Sequence, residues 1–281
     1  MSKFSIAGLQ LALKHKNNLP KITQEIDTVM SRFPWVDMVV LGELNGYGVD
    51  HKYAQEQGGE FESHCCDLAS KHSIWLTPGS YFEKYQGKIY NTAPVIDPTG
   101  KIIARYRKIF PFLPYEKDVT PGDEFVVFEV PEVGKFGLMI CYDQWFPEVA
   151  RTLAWMGAEA IICPTLTNTI DRQRELSLAK ANAIINQCYF FNINTVGDLG
   201  YGQSVIVGPQ GEVIHQASVA REIMPIQIDL QTVRDVRERG LHGLCQNLKS
   251  FRDRPVDFPV YQDRSDAGAF SQMGKLDVPK K

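Results

Sequence analysis

Residues 133–147, VGKFGLMICYDQWFP, decide how this chain folds. Phe136, Leu138, Met139 and Ile140 form a short apolar run between Gly134 and the polar pair Asp143-Gln144, which has the length and composition of a buried strand. Pro147 suits the first turn of a helix, where a missing N–H costs nothing. Phe146, Val149, Ala150 and Leu153 then recur at helical spacing until Gly157 ends the run. Cys141 therefore falls where a strand end meets a helix N-terminus. Backbone N–H groups gather at such a place, and the helix dipole favours a thiolate or an oxyanion. A nucleophilic thiol and a buried cysteine that merely closes a strand both fit this local pattern.

Working outward, residues 4–13 alternate as a first strand, and Ile22, Ile26, Val29 and Met30 predict a helix over 20–33. Residues 38–41 are a continuous apolar strand that runs into Gly42-Glu43. A helix over 57–72 follows, then strands over 74–81, 89–97 and 101–107, the last of which delivers Lys108. A loop rich in proline and aromatics spans 110–122, ahead of a strand over 125–130. Beyond the cysteine segment come a buried strand at 160–163 and a helix over 171–187. Strands over 189–194, 204–207, 212–215 and 222–228 and a helix over 230–239 complete the pattern. Past Gly240 it fades into a polar tail with Pro255, Pro259 and Pro279. Strands alternate with helices, but hairpin-like pairs are mixed in, which predicts an α/β fold of two sheets with helices outside.

Composition bounds the function. The 281 residues are 44% hydrophobic and 22% charged, ordinary for a soluble globular protein. Thirty Lys and Arg against 33 Asp and Glu give a net charge of −3 with no basic stripe, which argues against a nucleic-acid partner. No apolar run approaches the ~20 residues that span a bilayer. The start, MSKFSIAGLQLALKHK, lacks a small-residue cleavage site and fits a first strand better than a signal peptide. Six cysteines in a chain of this length suggest reduced thiols and a cytoplasmic setting rather than a disulfide framework. His64, Cys65, Cys66 and His72 resemble a metal cluster on paper, yet Phe61, Cys65, Leu68 and Ala69 form the apolar side of a helix there, so core packing and no metal are expected.

Glu43, Lys108 and Cys141 share one feature: each ends a buried strand. In layered α/β folds the loops that form a site converge at strand ends. A buried strand rarely ends on an unpaired charge, because desolvating one costs several kcal/mol. Glu43 and Lys108 would satisfy each other if adjacent, either as a structural ion pair or as working groups beside the thiol.

Taken together, the blocks VVLGELNGYG around Glu43, RYRKIFPFLPYEKDVTPGDEF around Lys108 and GLMICYDQWFPEVARTLAWMGAEAIICPT around Cys141 carry a resemblance. With the later NQCYFFNINTVG and GQSVIVGPQGEV, the chain resembles the nitrilase, or carbon–nitrogen hydrolase, superfamily over nearly its whole length. The resemblance implies a four-layer α-β-β-α sandwich, here over residues 1–245, and a Glu–Lys–Cys triad of Glu43, Lys108 and Cys141. It also implies a second glutamate, Glu116, as in the amidase branch. A homodimer or higher homo-oligomer is expected, with a tail over 246–281 that packs on its own or a partner subunit. One departure is visible. The family's Arg-Ala-x-Glu-Asn element corresponds to Asn182-Ala183-Ile184-Ile185-Asn186, without the arginine and glutamate.

Amide hydrolysis needs a nucleophile, its base, a stabiliser for the oxyanion and an acid for the leaving ammonia. Cys141 would attack as thiolate, Glu43 would serve as base and later proton donor, and Lys108 would face the developing oxyanion with the Tyr142 backbone N–H as a second donor. Glu116 would accept from Lys108 or the substrate nitrogen. If the two glutamates lie close, one pKa should rise. No cofactor is required. The loop RKIFPFLPYE is similar to that of short-chain aliphatic amidases and formamidases, which places Phe112 in a small pocket; CYDQWFPE looks instead like the N-carbamoyl-amine hydrolases, including the N-carbamoylputrescine type, and points to Trp145. Thr165 and Asn168 are further pocket candidates. The leading expectation is an amidase acting on a small amide. An N-carbamoyl-amine hydrolase, a nitrilase and a catalytically silent binding protein are the alternatives.

Overall fold

The structure, a computed structural model, describes residues 3–262 and 268–278. In chain order the strands are β1 (Lys3–Gln10), β2 (Ala12–Leu13), β3 (Met38–Leu41), β4 (Gln55–Glu56), β5 (Trp75–Thr77), β6 (Tyr81–Tyr85), β7 (Lys88–Ile96) and β8 (Ile102–Arg107). They continue with β9 (Val126–Val130), β10 (Gly134–Leu138), β11 (Ala160–Pro164), β12 (Tyr189–Ile193), β13 (Val196–Gly197), β14 (Val205–Val207), β15 (Val213–Gln216) and β16 (Glu222–Asp229). The helices are α1 (Leu19–Arg32), α2 (Glu60–His72), α3 (Pro147–Trp155), α4 (Arg172–Asn186), α5 (Leu230–Arg239) and α6 (Asn247–Asp253).

One sheet runs β16-β1-β3-β5-β7-β6-β4 with β8 added on β7, and the other runs β15-β14-β12-β11-β10-β9. β3 explains why its sequence is apolar throughout. Met38 and Val40 join Phe4, Ile6, Phe136, Leu138 and Ile162 in the core between the sheets. Val39 and Leu41 meet Ile22, Ile26 and Val29 of α1 and Phe61, Cys65 and Leu68 of α2 on the other face. A strand covered on both faces cannot alternate apolar with polar. Val149, Ala150 and Leu153 of α3 and Leu176, Ala179 and Ala183 of α4 cover the second sheet in the same way. The result is the expected four-layer α-β-β-α sandwich.

Three elements differ from the sequence reading. The first strand stops at Gln10, whose buried side chain accepts from the Ser204 N–H and donates to the Ser218 carbonyl; Ala12–Leu13 pairs instead with Val196–Gly197. Residues 74–81 are not one strand: the chain turns at Pro78-Gly79 between β5 and β6. Gly79 sits at φ +79, and a Cβ there would lie 1.6 Å from the Gly42 carbonyl oxygen, so only glycine permits the approach. The third difference is at the cysteine. A 3-10 turn over Cys141–Trp145 separates it from α3, which starts at Pro147.

Between Phe251 and Tyr261 the tail lies against α3 of its own chain, and Asn247 donates to the Ile185 carbonyl of α4. Phe251 meets Trp155 edge-on at 5.6 Å and stacks on Phe258 at 6.2 Å, and the Tyr261 hydroxyl donates to Glu148. Pro279 lies outside the described residues. His64 bonds the Thr23 hydroxyl and His72 bonds Asp27, while Cys65 is buried in the core, so these side chains turn to separate partners. Among the described residues no helix is long and apolar enough to cross a membrane.

Candidate active site

The two sheets touch at one end, and the site is there. Just past β3 the Glu43 N–H donates to the carbonyl of Thr165, just past β11 in the other sheet, at 3.1 Å. A Cβ on Gly42 would stand 2.9 Å from that oxygen, so glycine lets the strands close. One residue past β8, Lys108 is anchored by its N–H to the Asn91 carbonyl of β7 at 2.9 Å. β10 runs on through Met139 and Ile140 to Cys141. Carboxyl ends of strands from both sheets thus deliver Glu43, Lys108 and Cys141 to one cavity of about 630 Å3, a volume suited to a small organic ligand.

The Lys108 Nζ lies 2.8 Å from Glu43 Oε1 and 2.8 Å from Glu116 Oε2. Asn91 Nδ2 donates to the same Glu43 oxygen at 2.8 Å, and the Phe112 N–H donates to Glu116 at 2.6 Å. Lys108 and Glu43 are 2% and 3% exposed, so the group carries two negative charges and one positive almost out of water. Burial opposes the Lys108 charge, but the two carboxylates outweigh it and hold its pKa well above the ordinary lysine value. Burial, with repulsion from Glu116, raises the Glu43 pKa against the pull of Lys108. Burial also works against Glu116, but Lys108 and the Phe112 N–H prevail and its pKa falls. Glu43 is thus the carboxylate that more readily holds a proton.

Cys141 adopts φ +44, a left-handed conformation unfavourable for a side chain of this kind. Asp143 holds the turn that imposes it, accepting from the Ile140 N–H at 2.9 Å, the Phe110 N–H at 2.8 Å and the Tyr106 hydroxyl at 2.7 Å. Burial pushes Asp143 up to about 6 despite these three donors. Within 4.0 Å of the sulfur lie the Leu166 carbonyl, Thr167 Oγ1 and Glu175 Oε1, and Glu43 is close enough to act on the charge of the thiol. Burial and the carboxylates of Glu43 and Glu175 raise its pKa well above the ordinary thiol value, and Lys108 offsets this only in part. The expected dipole-stabilised thiolate is therefore corrected. With α3 starting six residues later, the resting group is a thiol that needs a base.

Of the expected pocket residues, Phe112, Tyr142 and Trp145 line the cavity, and so does Asn168. Phe112 lies 5.0 Å from the Tyr142 ring and 5.1 Å from that of Tyr115. Thr165 does not line it: its hydroxyl donates to the Cys163 carbonyl at 3.1 Å. Thr167, two residues on, does. Its Oγ1 sits 3.7 Å from the Cys141 sulfur and donates to Glu175 Oε1 at 2.9 Å. Glu175, whose Oε1 is 4.0 Å from the sulfur, is held on its other oxygen by Arg172 at 2.9 Å. Sequence reading missed Asn91, Thr167, Arg172 and Glu175. A usable signal existed for two of them: Arg172 and Glu175 share the face of α4 that carries Leu176 and Ala179, where lone charges do not belong. Among the described residues no group of three or more His, Cys, Asp or Glu side chains could hold a metal ion.

Comparison with known proteins agrees with this geometry. Residues 5–238 match the carbon-nitrogen hydrolase family model. Omega-amidase NIT2 of Mus musculus is 32% identical over 261 residues, covering 85% of this chain and 93% of that protein. Among solved structures, a carbon-nitrogen hydrolase from Helicobacter pylori G27 is similar at a TM-score of 0.79 and 29% identity, covering 92% of this chain and 97% of that one. Nit3 of Saccharomyces cerevisiae, a member of branch 10 of the nitrilase superfamily, gives 0.77 and 27%, covering 84% and 94%. With two sheets that deliver a thiol, a lysine and two glutamates to one cavity, and a family match over most of its length, the chain belongs to the carbon-nitrogen hydrolase family.

Proposed function

We propose that this enzyme hydrolyses small amides through a thioester on Cys141, releasing ammonia and then a carboxylic acid. The observation that supports it most is a single buried lysine shared at 2.8 Å by two carboxylates beside a thiol that is protonated at rest. Glu43, which shares the cavity with the thiol, takes its proton as sulfur attacks the carbonyl. Lys108, kept charged by both glutamates, faces the developing oxyanion together with the Tyr142 backbone N–H; one such donor is typically worth about 3–4 kcal/mol of barrier. Glu43 returns the proton to the departing nitrogen, then activates the water that cleaves the thioester. Glu116 holds Lys108 and keeps Glu43 poised to carry that proton. The omega-amidase named above supports an amide over a nitrile as substrate.

Ammonia release from a panel of simple amides, N-carbamoyl amines and nitriles tests this reading. Turnover of amides that vanishes in Cys141→Ala is the expected result. Turnover confined to carbamoyl compounds or nitriles would replace the substrate class, and an active Cys141→Ala would end the mechanism.

A further inference from the structure

Beside Cys141 stands a carboxylate that the mechanism above does not use. Glu175 is 3% exposed and lines the cavity. Its Oε2 accepts from Arg172 Nη1 at 2.9 Å, and the second Arg172 nitrogen, Nη2, is spent on the Gln203 carbonyl at 2.7 Å. Its Oε1 accepts from the Thr167 hydroxyl at 2.9 Å and lies 4.0 Å from the Cys141 sulfur. A carboxylate oxygen takes two hydrogen bonds; at rest the Cys141 thiol is within donating reach of Oε1, so its second acceptor place opens to substrate once the thiol gives up its proton. A carbonyl carbon poised for attack sits about 3–3.5 Å from the sulfur, which brings the first atoms of the acyl part within reach of Oε1.

The rest of the wall has the same sign. Asp171 is a further carboxylate of the lining. Among the described residues, the only lysine or arginine of the lining is Lys108, already bonded to Glu43 and Glu116. His15 and His51 are the other side chains of the wall that can carry positive charge, and the aromatic rings of Phe112, Tyr115, Tyr142 and Trp145 supply apolar and π surface. An acyl chain that ends in a carboxylate would meet Glu175 with no cation to answer it, whereas an amino group or N–H would complete Oε1.

We infer that Glu175 is a substrate-binding acceptor that selects amides whose acyl part carries an N–H or amino group and rejects amides whose acyl part carries a carboxylate. This rests on the amide-hydrolase reading and narrows its substrate class. The test is kcat/KM for three amides of matched length, β-alaninamide, butyramide and succinamate. The assay is run at about pH 8.5, above the range in which imidazoles usually carry charge. The wild-type enzyme should favour β-alaninamide over succinamate on the order of 100-fold, with butyramide between. Glu175→Gln should shrink that ratio about tenfold or more, chiefly through a higher KM for β-alaninamide. The wild-type ratio needs no variant and stands even if that substitution unfolds the protein. Succinamate turned over as well as β-alaninamide, or a ratio unmoved in a folded Glu175→Gln, would overturn the inference while butyramide turnover keeps the amide-hydrolase reading. Failure to hydrolyse any of the three would overturn both.

Discussion

Arg107 and Lys108 are neighbours in the chain, and both are cations held by buried carboxylates, yet they do opposite work. Arg107 meets Glu83 through two parallel bonds of 2.9 Å, Nε to Oε2 and Nη2 to Oε1. Thr92 and Gln57 take further lone pairs of the same carboxylate, and Tyr85 and Tyr90 cover the guanidinium. Burial works against the Glu83 charge, but these partners win and its pKa falls. One anion, one cation and a full set of donors make a closed account with nothing left to react. Lys108 instead serves two carboxylates with one charge, and the excess negative charge drives the pKa values of Glu43 and Glu116 apart. A saturated pair holds a fold together; an overfilled one stores a movable proton next to a thiol.

That contrast is broken most severely at Lys108. Lys108→Ala should lower kcat/KM for an amide by about 10³-fold, because the oxyanion loses its charged partner. Circular dichroism should still show a folded protein. Near wild-type turnover would mean that the lysine is as structural as Arg107.

A smaller and more diagnostic effect is expected from Glu116→Gln. Activity requires the Glu43 carboxylate, so it should fall as pH drops through the raised Glu43 pKa. Removing the Glu116 charge leaves Lys108 to Glu43 alone, and the acid limb of kcat/KM should move to lower pH while the maximum falls roughly 10²-fold. A limb that stays in place would deny the coupling.

The structural pair should answer in stability alone. Glu83→Gln should cost about 2–3 kcal/mol, discounted from the usual cost of breaking a buried pair because Arg107 is partly exposed, and leave kcat/KM within about threefold. Since the Glu83 pKa is lowered in the fold, its contribution is present above the ordinary glutamate range and lost as pH falls through the folded value. The Tm gap between wild type and variant should therefore narrow on acidification. A constant gap would remove the ion pair from the explanation.

The strand ends that carry Glu43, Lys108 and Cys141 were legible because strands buried on both faces must be apolar throughout, so a charge or thiol at their ends stands out. Glu116 was visible only through resemblance to the family, since a loop has no period. Thr165 was named where Thr167 lines the cavity. Thr165 still follows the sheet, its N–H on Ile193 and its hydroxyl on Cys163, and only beyond it does the chain turn toward the sulfur. Asn91 hides in a strand whose pattern accounts for it until its bond to Glu43 is seen. The thiolate expected at Cys141 failed for a local reason: the 3-10 turn held by Asp143 sets α3 apart from the sulfur, and burial, aided by nearby carboxylates, keeps the thiol protonated.

The most direct test of the central claim is rapid acid quench during turnover of butyramide, followed by peptide mapping by mass spectrometry. A transient gain of one butyryl group on the peptide that contains Cys141, and on none of the other five cysteines, is predicted. Ammonia release with Cys141 never modified, or an acyl group found elsewhere, would contradict it.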